Sequence, residues 1–171
     1  MADLPQIMDA NLPMSIDSQT VFPWLSLIVL LPIVGALIMP FLPTQESKNS
    51  NLPRNIALVI LLADFLIVVL AFANLFDPNS ESLQLVERLQ WLPSIGLEWS
   101  LGVDGISAPL VVLSGLITFL SAAASWKVKQ KTRLYFALLL IQASAQALVF
   151  LSQDFLLFFL AWELFISILI L

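Results

Sequence analysis

Five apolar stretches decide what this chain can become: residues 21–42, 53–76, 105–126, 134–151 and 155–171 are almost free of charge and take up more than half of its 171 residues. About 20 helical residues cross the roughly 30 Å hydrocarbon core of a bilayer, and each stretch is close to that length. In lipid every backbone N–H and C=O must be paired within the segment, which leaves the helix as the available form. With 60% of residues hydrophobic, 11% charged and a mean hydropathy of +0.97, too little polar surface remains to clothe a soluble domain. The expected fold is all-α, a polytopic transmembrane bundle of about five helices over 21–171, preceded by an exposed N-terminal segment at 1–20. That segment carries Asp3, Asp9 and Asp17 and no base, so the first stretch reads as a mature helix rather than a cleaved signal peptide.

Basic residues beside spanning helices stay on the cytoplasmic side, and here they fall in two loops. The 43–54 connection carries Lys48 and, at the head of the second stretch, Arg54, and the 127–133 connection carries Lys127, Lys129, Lys131 and Arg133. With alternating crossings those loops share a side. The other side holds nine acids, among them Asp77, Glu87, Asp104 and Asp154, with Arg88 as its one base. The N-terminus is therefore expected outside and the basic loops inside. Between the second and third stretches, Leu97, Trp99 and Leu101 alternate with Glu98 and Ser100, Leu89 and Trp91 flank Gln90, and PSIG at 93–96 supplies a turn. This pattern predicts a short β-hairpin over 83–101 on the outer face, its apolar side buried against helix ends or a neighbour.

Composition also removes whole classes of chemistry. The chain has no Cys and no His, so thiolate and imidazole ligands, disulfides and the usual haem ligation are absent, and any redox centre must belong to another chain. Seven basic residues against twelve acidic ones make no phosphate-binding surface, which argues against nucleic acid. Carboxyls remain as the groups that exchange protons near neutral pH. Glu163, in FFLAWELF, lies eight residues beyond Phe155, about 12 Å down its helix and close to mid-membrane. A carboxylate at that depth costs on the order of 3 kcal/mol, and burial favours its protonated form. A proton relay needs such a group; a structural Glu hydrogen-bonded to a neighbouring helix is the competing explanation. Asp64, in LLADFLIV, is a second intramembrane acid, which helix packing or a local water would also satisfy. No Lys or Arg stands deep in any stretch, so a cation for Glu163 must come from elsewhere.

Other positions have structural expectations. Asp104, with Ser107 and Pro109 after it, reads as the N-cap region of the third helix, and Ser152 or Asp154 as the cap of the fifth. Pro32 and Gly35 suggest a kink or close packing in the first helix, and Gln142, Ser144 and Gln146 interhelical hydrogen bonds in the fourth. The run from Lys127 to Arg133 reads as a solvated topogenic loop, and Trp24, Trp126 and the hairpin tryptophans as interface residues.

The segment LQLVERLQWLPSIGLEWSLGVDGISAPLVVLSGLIT (83–118), followed by QDFLLFFLAWEL (153–164), resembles the antiporter-like membrane subunits of complex I type NAD(P)H:quinone oxidoreductases. It is most similar to the subunit 4 (D subunit) branch of the cyanobacterial and plastid NAD(P)H:plastoquinone oxidoreductases, and it matches their opening third. The resemblance implies a proton-translocating membrane-arm subunit that couples quinone reduction to proton transport, in the thylakoid membrane, among other membrane subunits. The complex would use NAD(P)H or ferredoxin, iron–sulfur clusters and a quinone, with no cofactor or metal in this chain. Glu163 falls on the family's helix-five glutamate, which pairs with a lysine on a later helix and takes part in proton translocation; Asp64 matches an acid of the second helix that has no established role. The family usually continues past Trp-Glu-Leu with a further acid and a Pro, whereas FISILIL follows here and the lysine helices are missing, as in a truncated or partial subunit. Two alternatives share the motif: a non-catalytic structural or assembly subunit derived from the family, and a subunit of the multisubunit sodium/proton antiporters.

Overall fold

The computed structural model describes residues 22–42, 51–80, 82–92, 96–128 and 131–170. The 1–20 segment, Lys48, Lys129 and the first three residues of the PSIG turn lie outside them. Five helices and one hairpin make up the described chain: α1 Trp24–Ile38, α2 Leu52–Leu75, β1 Gln84–Leu92, β2 Leu97–Val103, α3 Ser107–Ala124, α4 Thr132–Leu151 and α5 Phe155–Ile170. Single 3-10 turns, Met39–Phe41 and Ser125–Lys127, prolong α1 and α3. Four segments are long and apolar enough to cross a bilayer: Trp24–Phe41, Leu52–Leu75, Ser107–Lys127 and Thr132–Leu151. The expected fifth crossing is not of that length as described. At 16 residues α5 rises about 24 Å, short of the hydrocarbon core.

Between helices in lipid, hydrophobicity supplies little attraction, so close packing and small side chains must hold the bundle. α4 is its centre and touches α1, α2, α3 and α5. Its middle is a run of buried small residues, Ala143, Ser144, Ala145 and Ala147, which lets the neighbours approach closely. Gly35 does the same where α1 meets α2: a Cβ added there would stand 2.7 Å from Ile60 Cδ1. Of the two expectations for α1, close packing at Gly35 is the one with a contact behind it.

Buried apolar residues form two clusters, one at each end of the bundle. The first joins Leu25 and Val29 of α1, Val68 and Phe72 of α2, Val111 of α3 and Leu151 of α4 with Leu101 and Val103 of β2. The second joins Met39, Leu61 of α2, Ala122 of α3 and Phe136 and Leu140 of α4. Each cluster draws on opposite ends of successive helices, as an up-and-down bundle requires.

The hairpin seals the first end. Its strands pair antiparallel, Glu87 opposite Leu101 and Leu89 opposite Trp99, and Gly96 turns the chain with a positive φ of 69°. Leu101 and Val103 are fully buried, and β2 is tied on its other edge to the α4–α5 junction, where Gln153 N–H donates to the Ser100 carbonyl at 2.8 Å. The alternation expected of β1 is only partly realised. Leu85 takes φ 52°, the register shifts between Gln84 and Glu87, and Leu89 is left 66% exposed. A bulge of this kind re-aims side chains, and here Glu87 is directed onto α1.

Candidate functional site

Asp64 sits between the two apolar clusters, one turn after Leu61 and one before Val68, and is only 6% exposed. It lines a small cavity with Ile28 of α1, Ser114, Gly115 and Thr118 of α3, and Ala143 and Ala147 of α4. The space suffices for about one water molecule. Among the described residues Asp64 Oδ1 has no hydrogen-bond partner. The two hydroxyls of the lining are already donating: Ser114 Oγ to the Val111 carbonyl at 2.9 Å and Thr118 Oγ1 to the Ser114 carbonyl at 2.8 Å. Thr118 Oγ1 also lies 3.4 Å from Gln146 Oε1, which realises one of the interhelical contacts expected of α4, while buried Ser144 Oγ is unpaired within the described chain.

Glu163 has the opposite setting. α5 packs against α4 and β2, burying Leu157 and Ala161, and Glu163 stands exposed on a different face. On the same helix Phe158 and Trp162 stack with ring centroids 6.1 Å apart. α5 contributes nothing to the cavity at Asp64, so the two acids singled out from sequence do not share a site.

The ends of the helices carry the remaining polar chemistry. Asp104 Oδ1 accepts the Ser107 and Ile106 N–H groups at 2.7 and 3.0 Å, and Ser107 Oγ accepts the Asp104 N–H in return at 2.9 Å. At α5 the choice between Ser152 and Asp154 falls to Asp154, whose Oδ1 accepts the Leu157 N–H at 3.0 Å; Ser152 instead bridges to Leu101 in the hairpin. At the opposite end the basic residues are more than a solvated loop. Arg54, in the first turn of α2, is buried with its guanidinium 3.7 Å from the centre of the Trp126 ring, and Arg133 Nη1 donates to the Pro40 carbonyl at 3.3 Å. Lys127 and Lys131 are exposed.

The cap of α1 was not read from the sequence. Glu87 Oε1 accepts the Leu25 N–H at 2.7 Å, its Oε2 accepts the Ser26 N–H at 2.9 Å and the Ser26 hydroxyl, and Trp99 Nε1 donates to Ser26 Oγ at 2.8 Å. The hairpin thus caps α1, whose N-cap is Pro23 and has no side chain able to do so. The available signal was a helix opening without Ser, Thr, Asp or Asn at its start. Ser114 and Thr118 were missed too, although polar residues four apart in an apolar helix mark one face.

No protein-family model matches the chain. Among curated proteins, it is 52% identical over 147 residues to NAD(P)H-quinone oxidoreductase chain 4 of Prochlorococcus marinus (strain NATL1A), covering 85% of this chain and 27% of that one. The corresponding figures are 51% over 147 residues, 85% and 26%, for chain 4 of Synechococcus sp. (strain CC9902). For chain 4 2 of Microcystis aeruginosa they are 48% over 143 residues, 84% and 25%. Over 84–85% of its length the chain is similar to part of proteins named NAD(P)H-quinone oxidoreductase chain 4. It spans about a quarter of the length of these curated relatives. In this chain 4 homologue the hairpin, the VDGIS entry to α3 and the aromatic run into α5 all belong to one structural end, since each meets the cluster around Leu101 and Leu157.

Proposed function

We propose that this chain 4 homologue is part of a proton-translocating membrane-arm subunit of an NAD(P)H:quinone oxidoreductase, with Glu163 as a proton-transfer carboxyl. The observation that carries the reading is the exposure of Glu163 on a face of α5 that the described elements leave uncovered, in a helix otherwise apolar. An acid facing hydrocarbon alone is costly, so this face calls for a protein partner, and a lysine on a further helix would supply both cover and charge. Relation at about 50% identity to proteins named NAD(P)H-quinone oxidoreductase chain 4 supports the assignment. The chain has no Cys or His to hold an iron–sulfur cluster, so electron transfer belongs to other subunits of the complex, which are its partners with the lipid around it.

In this reading the bundle crosses the membrane five times, α5 completing its crossing beside neighbours, with the N-terminus and hairpin lumenal and Arg54, Lys127, Lys131 and Arg133 cytoplasmic, in the thylakoid membrane. Glu163→Gln tests the assignment, because it keeps shape and hydrogen-bonding capacity and removes the titrating proton. Vesicles holding wild-type and variant complexes, matched for assembled amount and driven by the same quinone reduction, should differ: the variant assembles normally and proton uptake falls. Equal uptake would give the position to the structural-subunit alternative.

A further inference from the structure

A carboxyl enclosed in an apolar bundle must find its hydrogen bonds nearby, and the surroundings of Asp64 set narrow terms for them. The residue is 6% exposed and its Oδ1 lacks a partner among the described residues. Opposite it on α3 stand Ser114, whose hydroxyl donates to a carbonyl of its own helix, and Thr118, whose hydroxyl donates to the Ser114 carbonyl and lies 3.4 Å from Gln146 Oε1 of α4. What these two residues offer the cavity is therefore oxygen lone pairs, and a ligand there must donate. The remainder of the lining, from α1, α2, α3 and α4, is aliphatic residues and a glycine; it includes no Lys, no Arg and no second acid. A bare carboxylate would face acceptors and hydrocarbon, with nothing to balance its charge. A water molecule in the space available has two protons to give and lone pairs to receive one.

We infer that Asp64, Ser114 and Thr118 form an internal hydration site, in which one water bridges a protonated Asp64 carboxyl to the two hydroxyl oxygens. The carboxyl O–H donates a hydrogen bond to the water, and the water donates hydrogen bonds to Ser114 Oγ and Thr118 Oγ1, each proton staying on its own oxygen. This site stands on the cavity and its lining, and it holds whether or not Glu163 translocates protons.

Infrared difference spectra of membranes containing the assembled complex test it. The wild type minus Asp64→Asn spectrum at neutral pH should show a carboxylic acid C=O band that is lost in the variant and moves to lower frequency in deuterium oxide. Ser114→Ala combined with Thr118→Val leaves Asp64 in place but removes both acceptors, so the band should persist and move to higher frequency as its hydrogen bonding weakens. Glu163→Gln should leave the band unchanged, which separates this site from the function proposed above. Carboxylate bands lost in place of the acid band, or an acid band indifferent to the double variant, would overturn the proposal. If Asp64→Asn fails to assemble, the double variant alone decides, because it retains the acid.

Discussion

Asp104 shows how much one side chain does where the hairpin ends and α3 begins. Its carboxylate accepts the Ser107 N–H first of all, and then that of Ile106, so its pKa lies below the ordinary carboxylate value. These bonds satisfy N–H groups that have no partner within the helix. A carboxyl whose folded pKa is depressed contributes stability above its unfolded value of about 3.9, and that contribution is lost as pH falls through the folded value. Hydrogen exchange at the Ile106 and Ser107 amides should therefore be slow near pH 5 relative to intrinsic rates and lose this protection at the acid end. Asp104→Asn, which has no proton to gain, should show protection independent of pH over the same range. A wild-type profile as flat as that of the variant would count against the cap. At the residue scale, then, local sequence predicted the cap region, and the structure added only which atoms meet.

Helices and hairpin are joined by contacts that no single element contains. α1 opens at Pro23 with no capping side chain, and its first amides are completed by Glu87, about 60 residues later in the chain. The bulge near Leu85 is what brings that carboxylate across, and Trp99 on the partner strand fastens the same Ser26 hydroxyl. Glu87→Ala should uncap α1 at a cost of about 1–2 kcal/mol, seen as roughly 5- to 30-fold faster exchange of the Leu25 and Ser26 amides with strand pairing retained. Glu87→Gln keeps one strong acceptor and should fall between. Unchanged exchange at both amides in the alanine variant would mean that the hairpin rests on α1 without capping it. None of this could be read from periodicity, because a partner so distant in sequence leaves no mark on the residues around Pro23.

At the scale of the whole molecule, the up-and-down bundle puts the acidic hairpin end and the basic end on opposite sides of whatever layer it crosses. α2 links them, rising about 36 Å over 24 residues with exposed Asn51 and Asn79 just beyond its ends. The chain contains no Cys, so Asn51→Cys and Asn79→Cys each give a single reactive thiol. An impermeant thiol reagent should reach position 79 from the lumenal or periplasmic side and position 51 from the cytoplasmic side; labelling of both from one side would reverse the proposed orientation. The places of the helices, the hairpin, the segregation of charge, the cap region at Asp104 and the pair Ser152 or Asp154 at α5 were legible in the sequence, because each depends on local hydropathy, turn residues or capping chemistry. Which acid lies inside the bundle was not. Both Asp64 and Glu163 stand in helices that are apolar on every side, so no polar stripe tells the inward face from the outward one. Packing alone decided it: Gly35 and the small residues of α4 draw α1, α2 and α3 together around Asp64, while α5 rests on Leu157 and Ala161 and turns Glu163 away.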